Sequence, residues 1–287
     1  MKSENKIERI IPTADLKWPG DRNVAVTFSV AYEAWSEGKS SGVGPMGNPL
    51  PGGVFDNNAD SYGRYGANAG IKRLSRILED TGVSANILTS GVLAAKDPEQ
   101  VSTLAAAGHE IVGHGFAQDL IPPLLSPADD EESIAKSTRA ITNAIGRQPR
   151  GWISPRATSG DETRRRLVQH GYRWHFDALD ADLPYIQRFP EGDLLAIPLS
   201  VEFNDLPHAM RFGRTPQQFV DMFHQALPHL LAAKADVVVV DVMVHAHCYG
   251  RPASAWALRE IAASCVDRSD IWVATRGKIA DHIFNNS

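Results

Sequence analysis

"DVVVVDVMVHAHCYGRPASAWALREI", residues 236–261, contains the unit from which the fold is read. The run 236–244 is apolar at nearly every position, so it suits a parallel strand covered on both faces better than an alternating, half-wet one. His245 and His247 follow it, and Gly-Arg-Pro at 250–252 then starts a helical pattern. Strand, polar loop and helix in that order make one βα unit. Working outward, apolar runs of strand length recur near 24–29, 84–89, 110–113, 151–154, 173–176, 194–197 and 270–274. "DPEQ" (97–100), "SGDE" (159–162) and "TPQQ" (215–218) each place a capping residue three positions before Glu or Gln, which marks helix starts between the strands. About eight strands alternating with helices predict an α/β fold, a distorted (β/α) barrel whose chemistry gathers at the C-terminal strand ends.

The chain of 287 residues can bury one large core. It reads as an N-terminal extension (1–20) followed by a single domain (21–287). Residues 36–66 are rich in Gly, Pro, Asn and Ser, and a loop of that length is expected to act as a lid or arm over the barrel mouth. A net charge of −5 offers no basic footprint for nucleic acid. No apolar run reaches the ~20 residues that span a bilayer. The charged first twenty residues lack a signal-peptide core, and two cysteines make no disulfide framework. The expectation is a cytoplasmic protein acting on a small soluble molecule, with no nucleic-acid or membrane partner.

"VAVTFSV" (24–30) and "GHEIVGHGFAQ" (108–118) resemble two motifs of the polysaccharide deacetylase (NodB-homology) family. "GWISPRATSGDETRRRLVQHGY" (151–172), "DALDADLPY" (177–185) and "HAHCYGRPASAWALREI" (245–261) resemble its later motifs, in the same order. "AYE" (31–33), "YGANAG" (65–70) and "FNDLP" (203–207) are similar to the allantoinase-like and cyclic imidase-like branch. The resemblance covers roughly residues 20–284 and implies a barrel of the NodB type, a hydrolase and a homo-oligomer. It also implies a divalent metal held by one Asp and two His. Here Ser29 and Gln118 stand at two of those places and only His114 remains, so the expected cofactor is none.

Four residues are expected to carry the chemistry. Glu33, just past the first strand, would have a carboxyl raised by desolvation and act as general base toward water. His114, between two glycines, would act as acid, base or carbonyl donor. Arg156 matches the family's motif arginine and would stabilise an oxyanion. His247 is favoured over His245 as the acid that protonates the leaving nitrogen. Ser29, Tyr32, Gln118, Trp152, Asp182, Asn204 and His245 are expected around the substrate. Asp182, and Asn204 with Asp205, would orient a histidine or bind ring amides, although Asp and Asn also favour turns for their own sake. Glu33 also reads as a solvated loop residue, His114 as a buried histidine held by backbone, and "TRRRL" (163–167) as a solvated helix face. Cys248 lacks the electropositive setting of a nucleophile.

These groups point to hydrolysis of a cyclic amide C–N bond (an imide, hydantoin or allantoin type of ring) without metal. The alternatives are a metal-dependent deacetylase of N-acyl compounds recruiting its ion through His245 and His247, and a binding protein without turnover.

Overall fold

The computed structural model describes residues 7–12, 16–40, 50–51, 53–234 and 237–286. Its strands are β1 (Glu8–Ile10), β2 (Val24–Tyr32), β3 (Asn86–Thr89), β4 (Glu110–Gly113), β5 (Gly151–Trp152), β6 (Trp174–His175), β7 (Tyr185–Phe189), β8 (Gly192–Ala196), β9 (Val238–His245) and β10 (Ile271–Val273). All eight expected strands are present. β1 and β7 are additional; they pair antiparallel with one another, and β7 pairs antiparallel with β8.

β2 organises the sheet. β9 lies along one edge, while β10 and then β3 share the other. From β3 the ladder runs parallel through β4, β5, β6 and β8. The strand ladder does not close. Instead residues 198–205 stand beside β9, where Asn204 bridges Met243 and the Asp241 amide donates to Ser200 Oγ. That irregular segment completes the barrel wall.

All nine residues of β2 are buried because both of its faces are covered. Val24, Val26, Phe28, Val30 and Tyr32 pack outward against helices α2 (Ile71–Thr81), α7 (Pro216–Ala232) and α8 (Trp256–Val266); α1 (Asn57–Tyr65) precedes these, and α3 (Gly91–Lys96), α4 (Pro98–Ala106), α5 (Pro127–Ile145) and α6 (Thr163–Gln169) lie between α2 and α7 in the chain. Ala25 and Ala31 point the other way, into an inner core with Leu88, Val112, Ile153 and Met243. Leu16 and Trp18 of the N-terminal extension and Ile279 and Ile283 of α9 (Arg276–Asn285) cap that inner core. Two helix starts behave as expected: Asp97 accepts from the Gln100 amide, and Thr215 forms a capping box with Gln218. "SGDE" does not. α6 begins only at Thr163, because Ser159 Oγ donates to Asp177 instead of capping the helix. On α6, exposed Arg165 pairs with Glu191.

The stretch expected as one loop, 36–66, ends in structure. Asp56 caps α1, and a π-helical turn, Gly66–Gly70, joins α1 to α2. Residues 41–49 and 52 of the expected lid lie outside the described residues. The glycines of "YGANAG" have a packing reason. A Cβ at Gly70 would sit 1.9 Å from the Ala246 carbonyl oxygen, so only glycine lets this turn back onto the histidine loop. No described helix is long and apolar enough to cross a membrane.

Candidate active site

Strand register sets the level of the site. Tyr32 pairs with Thr89, Thr89 with Gly113, and Ala31 with His245. The next residues, Glu33 and His114, therefore leave their strands at the same height as His245, at the C-terminal mouth. The pleat repeats every two residues, so Ser29, Ala31 and Glu33 share the inner face.

Glu33 is 9% exposed and ringed by imidazoles. His114 Nε2 lies 3.0 Å from Oε1, His245 Nε2 3.9 Å from the same oxygen, and His247 Nδ1 3.6 Å from Oε2. His114 Nδ1 is 3.1 Å from the Ile153 carbonyl, which can only accept, so that nitrogen carries a hydrogen. A hydrogen bond between Nε2 and Glu33 then needs one further proton, shared across the 3.0 Å contact. On the far side Asp205, fully buried, receives His245 Nδ1 at 2.7 Å and the amides of His245 and Tyr249 at 2.9 and 3.0 Å. Three bonds fix that carboxylate, which in turn fixes the imidazole with Nε2 toward Glu33.

The charges follow from these neighbours. Burial works against the Glu33 anion, but the charges of His245 and His114 and the His114 hydrogen bond outweigh it and hold the carboxyl down to about 2. The expected rise is therefore corrected: desolvation is present, yet the imidazoles overcome it. Burial also opposes a charge on His245, but Asp205 and Glu33 on either side raise its pKa above the ordinary value. For His247 burial outweighs the Glu33 carboxylate 3.6 Å from its ring and pushes it down to about 4. Being neutral near pH 7, it does little to hold the Glu33 anion, which rests on His245 and His114. His247 Nδ1 has no hydrogen-bond partner, and the ring sits edge-on against Trp35, Tyr62 and His245. Of the two histidines, His245 is the one whose pKa is raised, because Asp205 touches its ring.

Gln118 braces the site. Its Nε2 donates to Ser90 Oγ at 3.0 Å and to the His114 carbonyl at 2.8 Å, its amide donates to the Ala34 carbonyl, and Ser90 receives the Ala34 amide. Arg156 is exposed on the turn after β5, with no ion pair among the described residues. That turn is strained: Arg156 and Ala157 have φ of 61° and 50°. Asp177 clamps it at both ends, receiving the Ser154 amide and the Ser159 hydroxyl.

Several expected substrate residues lie elsewhere. Ser29 is 0% exposed and donates to Asp241 Oδ1 at 2.7 Å, in a sealed network with Asn86 and Arg276. Tyr32 is on the outer face of β2, since it is one residue out of step with Glu33. Trp152 is 1% exposed and packs with Ile134, Leu167 and Tyr172 under α5 and α6, its ring nitrogen donating to Ser154. Asp182 is exposed, and its carbonyl receives the amide of Val239, six residues before His245 along β9; it sits near the opposite end of that strand. The Asn204 side chain is spent on Met243 and on the Leu206 amide, and its neighbour Asp205 reaches the site. Trp35 and Tyr62 were not anticipated; Trp35 immediately precedes the Gly-rich stretch and Tyr62 lies within α1.

The divalent metal implied by the resemblance does not fit these donors. Ser29 Oγ is committed to Asp241, Gln118 turns its amide nitrogen to Ser90 and His114, and His114 Nε2 is bound to Glu33. Among the described residues no three His, Cys, Asp or Glu side chains are arranged to hold a metal ion.

The polysaccharide deacetylase family model matches residues 54–175. A Schizosaccharomyces pombe protein assigned as a polysaccharide deacetylase is 25% identical over 92% of this chain and 91% of its own. A structure of an allantoinase superposes with a TM-score of 0.83 at 26% identity, covering 94% of this chain and 93% of that one. A Pseudomonas aeruginosa PAO1 structure assigned as a polysaccharide deacetylase gives 0.82 at 27%, with the same coverage.

Proposed function

From the premise that the chain belongs to the polysaccharide deacetylase superfamily, whose members include hydrolases of C–N bonds, we infer that it opens the C–N bond of a small cyclic amide. The observation carrying this reading is the pair of units at the mouth: the Glu33–His114 pair holding one proton, and Asp205–His245 presenting another.

Water held by Glu33 attacks the ring carbonyl, and its proton passes to Glu33 Oε2. The carbonyl oxygen becomes the oxyanion, which Arg156 on its clamped turn stabilises; such a donor is worth roughly 3 kcal/mol. Collapse breaks the C–N bond, and His245 Nε2–H gives its proton to the leaving nitrogen. A carboxyl held near 2 is a weak base at rest. It keeps the proton it has taken once His245 discharges, because the His245 charge is the largest partner favouring the Glu33 anion.

A ring imide or ureide suits a site built from protein donors. Its nitrogen shares a lone pair between two carbonyls and leaves as a stabilised amide anion, whereas a simple acetamide needs several kcal/mol of polarisation of the kind a metal supplies. The allantoinase neighbour supports a ring substrate. The experiment is turnover by chelator-treated protein of cyclic imides, hydantoins and allantoin beside N-acetylated oligosaccharides. Ring opening that survives chelation is the expected result. Turnover of N-acetyl substrates alone, restored by added divalent metal, would replace this reading with the metal-dependent deacetylase.

A further inference from the structure

Beside the reacting groups lies a second cluster that the reaction does not use. Arg251, half-buried, stands over the rings of Tyr62 (4.4 Å) and Tyr65 (4.1 Å), and its Nε donates to the His247 carbonyl at 3.1 Å. Arg73, also half-buried, reaches the same tyrosine from α2, donating to Tyr65 Oη at 2.8 Å and to the Gly250 carbonyl at 2.6 Å. Several arginines of this acidic chain have carboxylate partners, among them Arg9, Arg150, Arg166, Arg188, Arg259 and Arg268. Among the described residues neither Arg73 nor Arg251 has one. Among the described residues the terminal nitrogens of Arg251 have no hydrogen-bond partner, although both ring contacts and the Nε bond hold the group in place.

Two cations brought together in partial burial without a counter-charge are costly unless an anion joins them. A guanidinium anchored through Nε and by aromatic contact keeps its fork of N–H donors preset for a planar carboxylate. The position is adjacent to the reaction. Arg251 is tied to the backbone of His247, Tyr62 packs edge-on against the His247 ring, and Gly70 and Gly250 both close on Ala246.

We propose that Arg251, supported by Arg73 and the two tyrosines, is a carboxylate subsite, and that the substrate is a ring bearing a carboxylate substituent remote from the scissile bond. The inference rests on the ring-opening reading for the identity of the ring and not for the anion. The test compares a five-membered cyclic imide carrying a carboxymethyl group with its methyl ester, using the full-length protein. Wild type should favour the acid by about ten-fold or more in kcat/KM, the worth of one charge-assisted hydrogen-bonded pair. Arg251→Gln should collapse that ratio toward one, and Arg251→Lys should keep part of it. The ratio in wild type should also shrink as salt is raised, which decides the matter if the Gln variant folds poorly. Equal rates for acid and ester in wild type, or a ratio unmoved by Arg251→Gln, would overturn the subsite. If neither ring is opened, calorimetric binding separates the two ideas. An Arg251-dependent preference for the acid upholds the subsite while the ring-opening reading falls, and equal binding of acid and ester removes the subsite.

Discussion

β2 and β9 carry two buried carboxylate clusters, one above the other, with opposite uses. In the lower one Asp241 faces Arg276 at 3.1 Å and Ser29 at 2.7 Å, and Arg276 donates from Nη1 to the Ile197 carbonyl and from Nη2 to the Pro198 carbonyl and stacks on Phe176. In the upper one, four residues along the same strands, roughly 13 Å away, Glu33 and His245 face each other at 3.9 Å beside an unpartnered His247 nitrogen. Both clusters are deeply buried. The lower one pairs its charges through a guanidinium that cannot give up its proton. The upper one uses imidazoles, which can, and lies at the C-terminal ends of β2 and β9. Burial alone does not make a reactive site; exchangeable protons are needed as well.

The sharpest way to break this contrast is to neutralise one carboxylate in each cluster. Glu33→Gln should lower kcat about 10³-fold. Asp241→Ala should act on stability instead, costing about 3–5 kcal/mol by leaving Arg276 buried without a partner, as urea unfolding would show. If Asp241→Ala folds normally, the lower cluster is not the anchor described here. Asp205→Asn should reduce kcat about 10²-fold. It should also move the alkaline limb of the rate profile to lower pH, since the raised His245 pKa depends on Asp205; an unmoved limb would deny His245 the acid's role.

His247 offers a thermodynamic reading. Its pKa is depressed from 6.5 to about 4, so its neutral burial favours the folded state above 6.5, and that contribution disappears as pH falls toward 4. The difference corresponds to about 3 kcal/mol. Stability measured at pH 7 and pH 4 should show a loss of this order that is smaller in His247→Phe. Acid also removes the Glu33 contribution, but only as pH falls from 4.5 toward about 2, so the two windows separate. The smallest effect belongs to Tyr32→Phe, which should leave turnover within about two-fold because the ring lies on the outer face of β2. A ten-fold loss there would mean that the pleat has been assigned to the wrong face.

Much of this architecture was legible from residue order. Eight apolar runs became eight strands, because a strand covered on both faces must be apolar throughout. β1 and β7 went unseen, being short and set in polar surroundings. Glu33 and His114 were readable as strand-end residues. Tyr32 was not excluded, although the two-residue pleat already opposes it to Glu33. Asn204 was favoured over Asp205 in a motif where either amide or carboxylate suited a turn. Asp182 lay in a loop whose level along β9 depends on how the barrel wall is completed, which no local pattern encodes.

What the residues determined unaided is local and periodic: hydrophobic spacing sets strand and helix, and Asp56, Asp97 and Thr215 set helix starts. Tertiary structure alone decided the protonation. Whether Glu33 is raised or lowered, and which of His245 and His247 is raised, depends on carboxylate–imidazole distances between residues up to 214 positions apart in the chain. Electrostatic energy falls with separation in space, and separation in space is what the fold supplies.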